Sequence, residues 1–132
     1  MEAEPNKLRI MMVCDYFHPS FGGVETHIRE VARCLISFGH KVIVLTRAYP
    51  PRYPGGVVRW LRGGIKVYYS PIPCWWRGSI LPGWGVTSLP LMRNIIIREG
   101  IQLIHGHQAV SALANEALVV AQELGIPSVF TD

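Results

Sequence analysis

The run Leu8-Arg9-Ile10-Met11-Met12-Val13-Cys14 constrains this chain more than any other segment. It is nearly continuous apolar sequence, and a strand of that kind must be covered on both faces, as parallel strands of α/β sheets are. The residues that follow supply the cover. After a loop ending Phe21-Gly22-Gly23, the apolar positions Val24, Ile28, Val31, Ala32, Leu35 and Phe38 recur at helical spacing, with Glu25, Arg29, Glu30 and Arg33 opposite. Gly39 stands where a helix-ending glycine belongs, and Lys41–Thr46 (KVIVLT) reads as a second strand. The chain therefore opens as a β-loop-α-β unit.

The alternation continues. Arg47–Gly64 is rich in Pro, Arg and Gly and is expected to be an irregular excursion, followed by a third strand over Ile65–Ser70 and a second irregular stretch over Pro71–Gly85. Ser88 is predicted to cap a helix running through Glu99, with Pro90 accommodated in its first turn and Gly100 closing it. Strand four is predicted over Ile101–His105. The last helix carries Val110, Leu113, Ala114, Ala117, Leu118, Ala121 and Leu124 on one face until Gly125 and Pro127 stop it. Ser128–Thr131 begins a fifth strand. This pattern predicts an α/β fold with a Rossmann-like, doubly wound parallel sheet, and 132 residues suffice for one such domain. A sheet that stops on a strand tip is incomplete on that side, so the chain is expected to be a piece of a longer protein, with an uncovered strand and low stability.

Apolar residues at 49% and charged ones at 17% place the chain among globular proteins. Thirteen Lys+Arg against nine Asp+Glu are scattered without a block, which suits an anionic substrate or a lipid surface and not a nucleic-acid groove. Cys14, Cys34 and Cys74 are widely spaced and odd in number, so neither a disulfide framework nor a zinc knuckle is indicated, and a reducing compartment is the simplest setting. Met1–Lys7 has no apolar core of a signal peptide, and no stretch approaches the ~18 apolar residues of a spanning helix.

Ligands of open α/β sheets bind beyond the carboxyl ends of the strands, where the strand order reverses. Two loops reach that edge. The first, Asp15 to Glu25, sets Gly22-Gly23 at a helix start, where free N–H groups and the helix dipole favour a phosphate; a plain flexible loop is the alternative. A nicotinamide dehydrogenase is disfavoured, because it wants G-x-G-x-x-G after strand one and an acidic residue ending strand two, where Thr46-Arg47 stands. The only aspartates are Asp15 and Asp132, so no Asp-x-Asp pair holds a metal on a diphosphate, and a metal-independent reaction is expected. The second loop, His105-Gly106-His107-Gln108, places two imidazoles on one strand face. Too few ligands stand nearby for zinc, which leaves His107 either as a cleft residue or as an internally bonded one. Trp75, Trp76, Arg77 and Trp84 cluster in the second irregular stretch, as a membrane-interface contact or as a surface packed on another domain or partner.

F-x-P-x-x-G-G-V-E-x-H at 17–27, G-H-K-V-I-V-L-T at 39–46, G-I-K-V-Y-Y at 64–69, S-L-P-L-M-R at 88–93, I-H-G-H at 104–107 and V-F-T-D at 129–132 together resemble the family of catalytic subunits of phosphatidylinositol N-acetylglucosaminyltransferase. These belong to the GT-B glycosyltransferases of family four. The resemblance covers essentially the whole chain. It implies the N-terminal, acceptor-side half of a retaining enzyme that moves N-acetylglucosamine from UDP-GlcNAc to phosphatidylinositol, the first step of GPI-anchor biosynthesis. The same resemblance implies that no metal or cofactor takes part, that other subunits of a membrane transferase complex are partners, and that the site is the cytoplasmic face of the endoplasmic reticulum. Gly22 and Gly23 inherit contact with the donor diphosphate, Tyr16 and His107 proximity to the acceptor headgroup, and Glu25 a place in the cleft. Relatives continue with a cleft histidine and a C-terminal donor-binding domain that this chain lacks, so the chain alone is expected to be inactive. Another lipid-linked sugar transferase, or a non-catalytic piece that binds the complex, are the alternatives.

Overall fold

A computed structural model describes residues 7–19, 22–72, 74–76, 79–80, 88–108 and 110–132. The elements run β1 (Arg9–Val13), α1 (Gly23–Ser37), β2 (Lys41–Arg47), β3 (Val58–Leu61), β4 (Ile65–Ser70), β5 (Cys74–Trp76), β6 (Ser79–Ile80), α2 (Ser88–Glu99), β7 (Leu103–His107), α3 (Ala112–Leu124) and β8 (Ser128–Thr131). Six strands form one sheet in the order β3-β4-β2-β1-β7-β8, parallel except for the antiparallel pairing of β3 with β4. The chain grows outward from β1 through β2 to β4, then returns to the other side of β1 with β7. That reversal opens a crevice at the carboxyl ends of β1 and β7, where the loops were expected to meet.

The nearly unbroken apolar run of β1 is explained by two-sided burial. Ile10, Met12 and Cys14 pack on α1 with Ile28 and Ala32, whereas Met11 and Val13 face the opposite core with Met92, Ile104, Leu113 and Ala117 of α2, β7 and α3. Each fully buried side chain of this size contributes roughly 2 kcal/mol. Gly125, at φ 68°, takes the left-handed turn that ends α3 and for which glycine has no steric cost.

Three expectations need correction. The stretch Arg47–Gly64 contains β3, an edge strand paired on one side only; Arg59 and Trp60 face solvent, so it never needed the apolar pattern that announces an inner strand. Strand four is β7 at Leu103–His107, because Ile101 N–H still closes the end of α2 on Ile96. Ser88 is not a cap: it lies inside α2, fully buried, and its hydroxyl donates to Glu116 Oε2 at 2.6 Å, joining α2 to α3. Pro90 does sit in the first turn of α2.

The second irregular stretch contains the short antiparallel pair β5–β6, which includes Trp75 and Trp76; Arg77 and Trp84 lie outside the described residues. At the far edge, β8 pairs with β7 and leaves Val129 and Phe130 46% and 37% exposed. No described helix is long and apolar enough to cross a membrane.

At the opposite end of the sheet from the crevice, Glu99 is buried at the C-terminus of α2, the unfavourable end of the helix dipole for a carboxylate. Lys41 Nζ at 2.9 Å, Lys66 Nζ at 2.6 Å and the Tyr68 hydroxyl donate to it. Burial pushes its pKa up, but the bonds from Lys66, Tyr68 and Lys41 prevail and hold it down at about 2. The folded value lies below the ordinary 4.5, so this stabilisation is present above pH 4.5 and is lost as pH falls toward 2. Glu99→Gln is expected to cost about 2 kcal/mol at neutral pH and to flatten this acid limb, as read by urea unfolding across the pH series.

Candidate functional site

Two long helices point their N-termini at the crevice, and the sequence treats them oppositely. The start of α3 is filled from within. Asp15, fully buried directly after β1, accepts through Oδ1 from the Ser111 hydroxyl at 2.8 Å and the Leu113 N–H at 3.0 Å, while its own N–H donates to Ser111 Oγ at 3.0 Å. Ser111 Oγ also accepts from Ala114 N–H at 3.1 Å, so this hydroxyl and the carboxylate together use up the first turn. Thr46 and Tyr49 donate to the Asp15 carbonyl from β2 and the loop beyond it. The lone aspartate of the first loop is therefore a fold-building group.

The start of α1 is left open. Its N-cap is Gly22, with no side-chain cap, and Glu25 folds back so that a Cβ on Gly22 would lie 2.6 Å from Glu25 Oε2. A side chain at Gly22 would displace the Glu25 carboxylate from the helix start. A Cβ on Gly23 would meet nothing within 4 Å, so its backbone is bare toward the crevice. Gly23 and Val24, with His27 one turn later, line an open pocket of ≈330 Å³ whose other wall is His107 and Gln108 of β7 with Thr131 and Asp132 of β8. No Lys or Arg lines it among the described residues.

His107 dominates that wall. Its side chain is 1% exposed, and neither ring nitrogen has a hydrogen-bond partner among the described residues. Leaving such a group unpaired costs about 1–3 kcal/mol. Its ring lies 3.9 Å from that of His105 at an interplanar angle of 32°, and meets His27 edge-on at 5.8 Å. Burial first, then the neighbouring His105 and His27, lower the His107 pKa to about 3. A neutral imidazole carries one donor and one acceptor. Gln108, immediately after it, holds φ at 75°, the only non-glycine residue with positive φ among those described, and such strain gathers at ligand sites.

Gly23 and His107 thus share one pocket, and Gly22 and Glu25 adjoin it at the same helix start without lining it. Tyr16 lies elsewhere: it is half-buried on the α1-side core, its N–H donates to Cys14 Sγ, and burial, then Asp15, raise its phenol pKa. His27, Gln108, Thr131 and Asp132 join the pocket unannounced. The i, i+4 spacing of Gly23 and His27 on one helix face was a usable signal. Thr131 and Asp132 were visible only as the end of strand five and of the V-F-T-D motif, and it is the pairing of His107 with Thr131 that brings β8 to this wall.

A family profile described as PIGA (GPI anchor biosynthesis) matches residues 50–132. The chain is 48% identical, over 98% of its length, to a phosphatidylinositol N-acetylglucosaminyltransferase subunit of Arabidopsis thaliana, of which it covers 28%. It is 45% identical over 93% of its length to the human protein of the same name, covering 25% of that protein. To phosphatidyl-myo-inositol mannosyltransferase of Mycolicibacterium smegmatis it is 33% identical over 83% of its length, again covering 28%. The chain therefore spans about a quarter of the length of these relatives. Among solved structures, sucrose-phosphate synthase from Thermosynechococcus elongatus superposes with a TM-score of 0.60 at 14% identity, over 93% of this chain and 32% of that one. That likeness speaks to fold alone, and it agrees with the Rossmann-like sheet of a GT-B glycosyltransferase expected from the sequence.

Proposed function

The chain belongs to the PIGA (GPI anchor biosynthesis) family, and on that premise we propose that it is the acceptor-side part of an enzyme moving N-acetylglucosamine from UDP-GlcNAc to phosphatidylinositol. The observation that carries this reading is the pocket between the open N-terminus of α1 and the unpaired His107. The open backbone at Gly23 suits a phosphate oxygen, and a neutral His107 suits a hydroxyl. The relatives' names support the lipid in particular: they differ in the sugar, N-acetylglucosaminyl or mannosyl, and share the phosphatidylinositol.

Transfer proceeds with retention and without metal, at the cytoplasmic face of the endoplasmic reticulum, in a complex with other subunits; the support for these points is the family resemblance. The Trp75, Trp76, Arg77 and Trp84 stretch is assigned to contact with the membrane or with those subunits. Because no cationic side chain lines the pocket among the described residues, neutralising a diphosphate falls to groups beyond them. This chain alone is accordingly expected to give no turnover with UDP-GlcNAc and phosphatidylinositol vesicles; measurable transfer overturns that expectation.

Exchange into a relative tests the function itself. Residues 1–132 put in place of the corresponding segment of the Saccharomyces cerevisiae GPI3 subunit, to which the chain is 41% identical, are expected to support N-acetylglucosaminyl-phosphatidylinositol synthesis in microsomes. A chimera that accumulates normally yet makes none contradicts the proposal. The second reading, another inositol-lipid transferase, rests on the likeness to the mannosyltransferase. It predicts a chimera that still binds the lipid while failing to use UDP-GlcNAc.

A further inference from the structure

We propose that His105, held by the Thr131 hydroxyl, is a positioning residue for His107, fixing the plane of its ring at the wall of the pocket. The inference rests on the reading of that pocket as the ligand site. His105 and His107 are two residues apart on β7, so their side chains leave the same face of the sheet. Their rings overlap at 3.9 Å. His107 makes no hydrogen bond of its own among the described residues, so nothing but packing sets its orientation: His105 on one ring face and His27 of α1 at 5.8 Å.

A stacked ring is free to slide unless its partner is anchored. The anchor is on the neighbouring strand. In the β7–β8 ladder His105 is level with Val129 and His107 with Thr131, and the His105 Nε2 to Thr131 Oγ1 bond of 2.7 Å runs diagonally between the two rungs. It ties the supporting ring to β8 while leaving both His107 nitrogens unoccupied. The titratable or charged groups around His107 are His105 from its own strand, His27 from α1 and Asp132 from β8. Protonating both stacked rings would place two cations about 4 Å apart in a buried site, so the stack also favours the neutral pair. A His107 ring held in one plane keeps one donor and one acceptor in fixed directions, which discriminates between hydroxyl groups of a polyol that reaches it.

The test reads the imidazole ring of His107 by NMR in the ligand-free chain. In the unaltered chain one set of ring signals is expected, displaced by the ring current of His105. Thr131→Val removes the anchor with little change of shape, and is expected to broaden the His107 ring signals and reduce that displacement. Thr131→Ser, which keeps the hydroxyl, restores the original signals. His105→Phe, which keeps a flat ring but not the bond to Thr131, reproduces the broadening. Unchanged His107 signals in Thr131→Val or in His105→Phe overturn the proposal, as does failure of Thr131→Ser to restore them. With myo-inositol 1-phosphate as probe, Thr131→Val is expected to weaken binding about tenfold, equivalent to about 1.4 kcal/mol. If the His107 ring signals respond while the probe binds no form of the chain, the positioning role stands and the reading of the pocket falls.

Discussion

Asp15→Ala is expected to destabilise the chain by about 3 kcal/mol, which for a domain of this size lowers the melting temperature by roughly 12 °C. The Asp15 carboxylate is fully buried and accepts two hydrogen bonds at the start of α3, one from the Ser111 hydroxyl and one from the Leu113 N–H. Alanine leaves both donors unsatisfied in a site that water does not reach, and removes the negative charge from the positive end of the helix. Asp15→Asn retains one acceptor oxygen and is expected to lose about half as much. Guanidinium chloride unfolding of the three proteins measures the series. A ligand-binding role for Asp15, the usual duty of a carboxylate at this edge of a sheet, predicts instead that Asp15→Ala folds as well as the original.

The second large effect is on pH dependence. Acidification from pH 7 to pH 5 is expected to cost about 2 kcal/mol of stability through His107 alone. Burial, with His105 and His27 beside it, depresses the folded pKa of His107 to about 3, below the ordinary 6.5. Between those values the unfolded chain takes up a proton that the folded chain refuses, so the stability is full above pH 6.5 and falls as pH drops toward 3. His105, also lowered by burial and by His27, adds to the same slope. His107→Phe removes the largest contribution and fills the same space without an unpaired polar group. Its stability is therefore expected to match or exceed that of the original at pH 7 and to decline less steeply below pH 6.5. An unchanged slope contradicts the picture of a buried neutral imidazole.

Most of the sheet could be read from the sequence because its inner strands are buried on both faces. β1, β2 and β4 announce themselves as apolar runs, and the helices as one-sided patterns. β3 escaped because an edge strand buries only part of itself: in Val58-Arg59-Trp60-Leu61 the middle two residues are exposed, and glycines flank the run. β7 was displaced by two residues because Ile101 belongs to the hydrogen-bonded end of α2 and not to the ladder.

The site divides in the same way. Gly22, Gly23 and His107 were visible because glycine at a helix start and histidine at a strand end each have few uses. The different duties of the two glycines were hidden, since they depend on where the Glu25 side chain turns. Asp15 stood out only as a lone carboxylate, and its partner Ser111 is 96 residues away. The contribution of β8 could not be foreseen either, because strand order, not spacing, sets Thr131 beside His107.

The most direct measurement is a ¹H–¹⁵N titration of this chain with myo-inositol 1-phosphate, following backbone amides and histidine rings together. The account predicts saturable shifts at the Gly23 amide and the His107 ring, absent at the ring position in His107→Phe and weak enough to require roughly millimolar probe. Saturable shifts that leave both groups unmoved, or none at all at that concentration, contradict it.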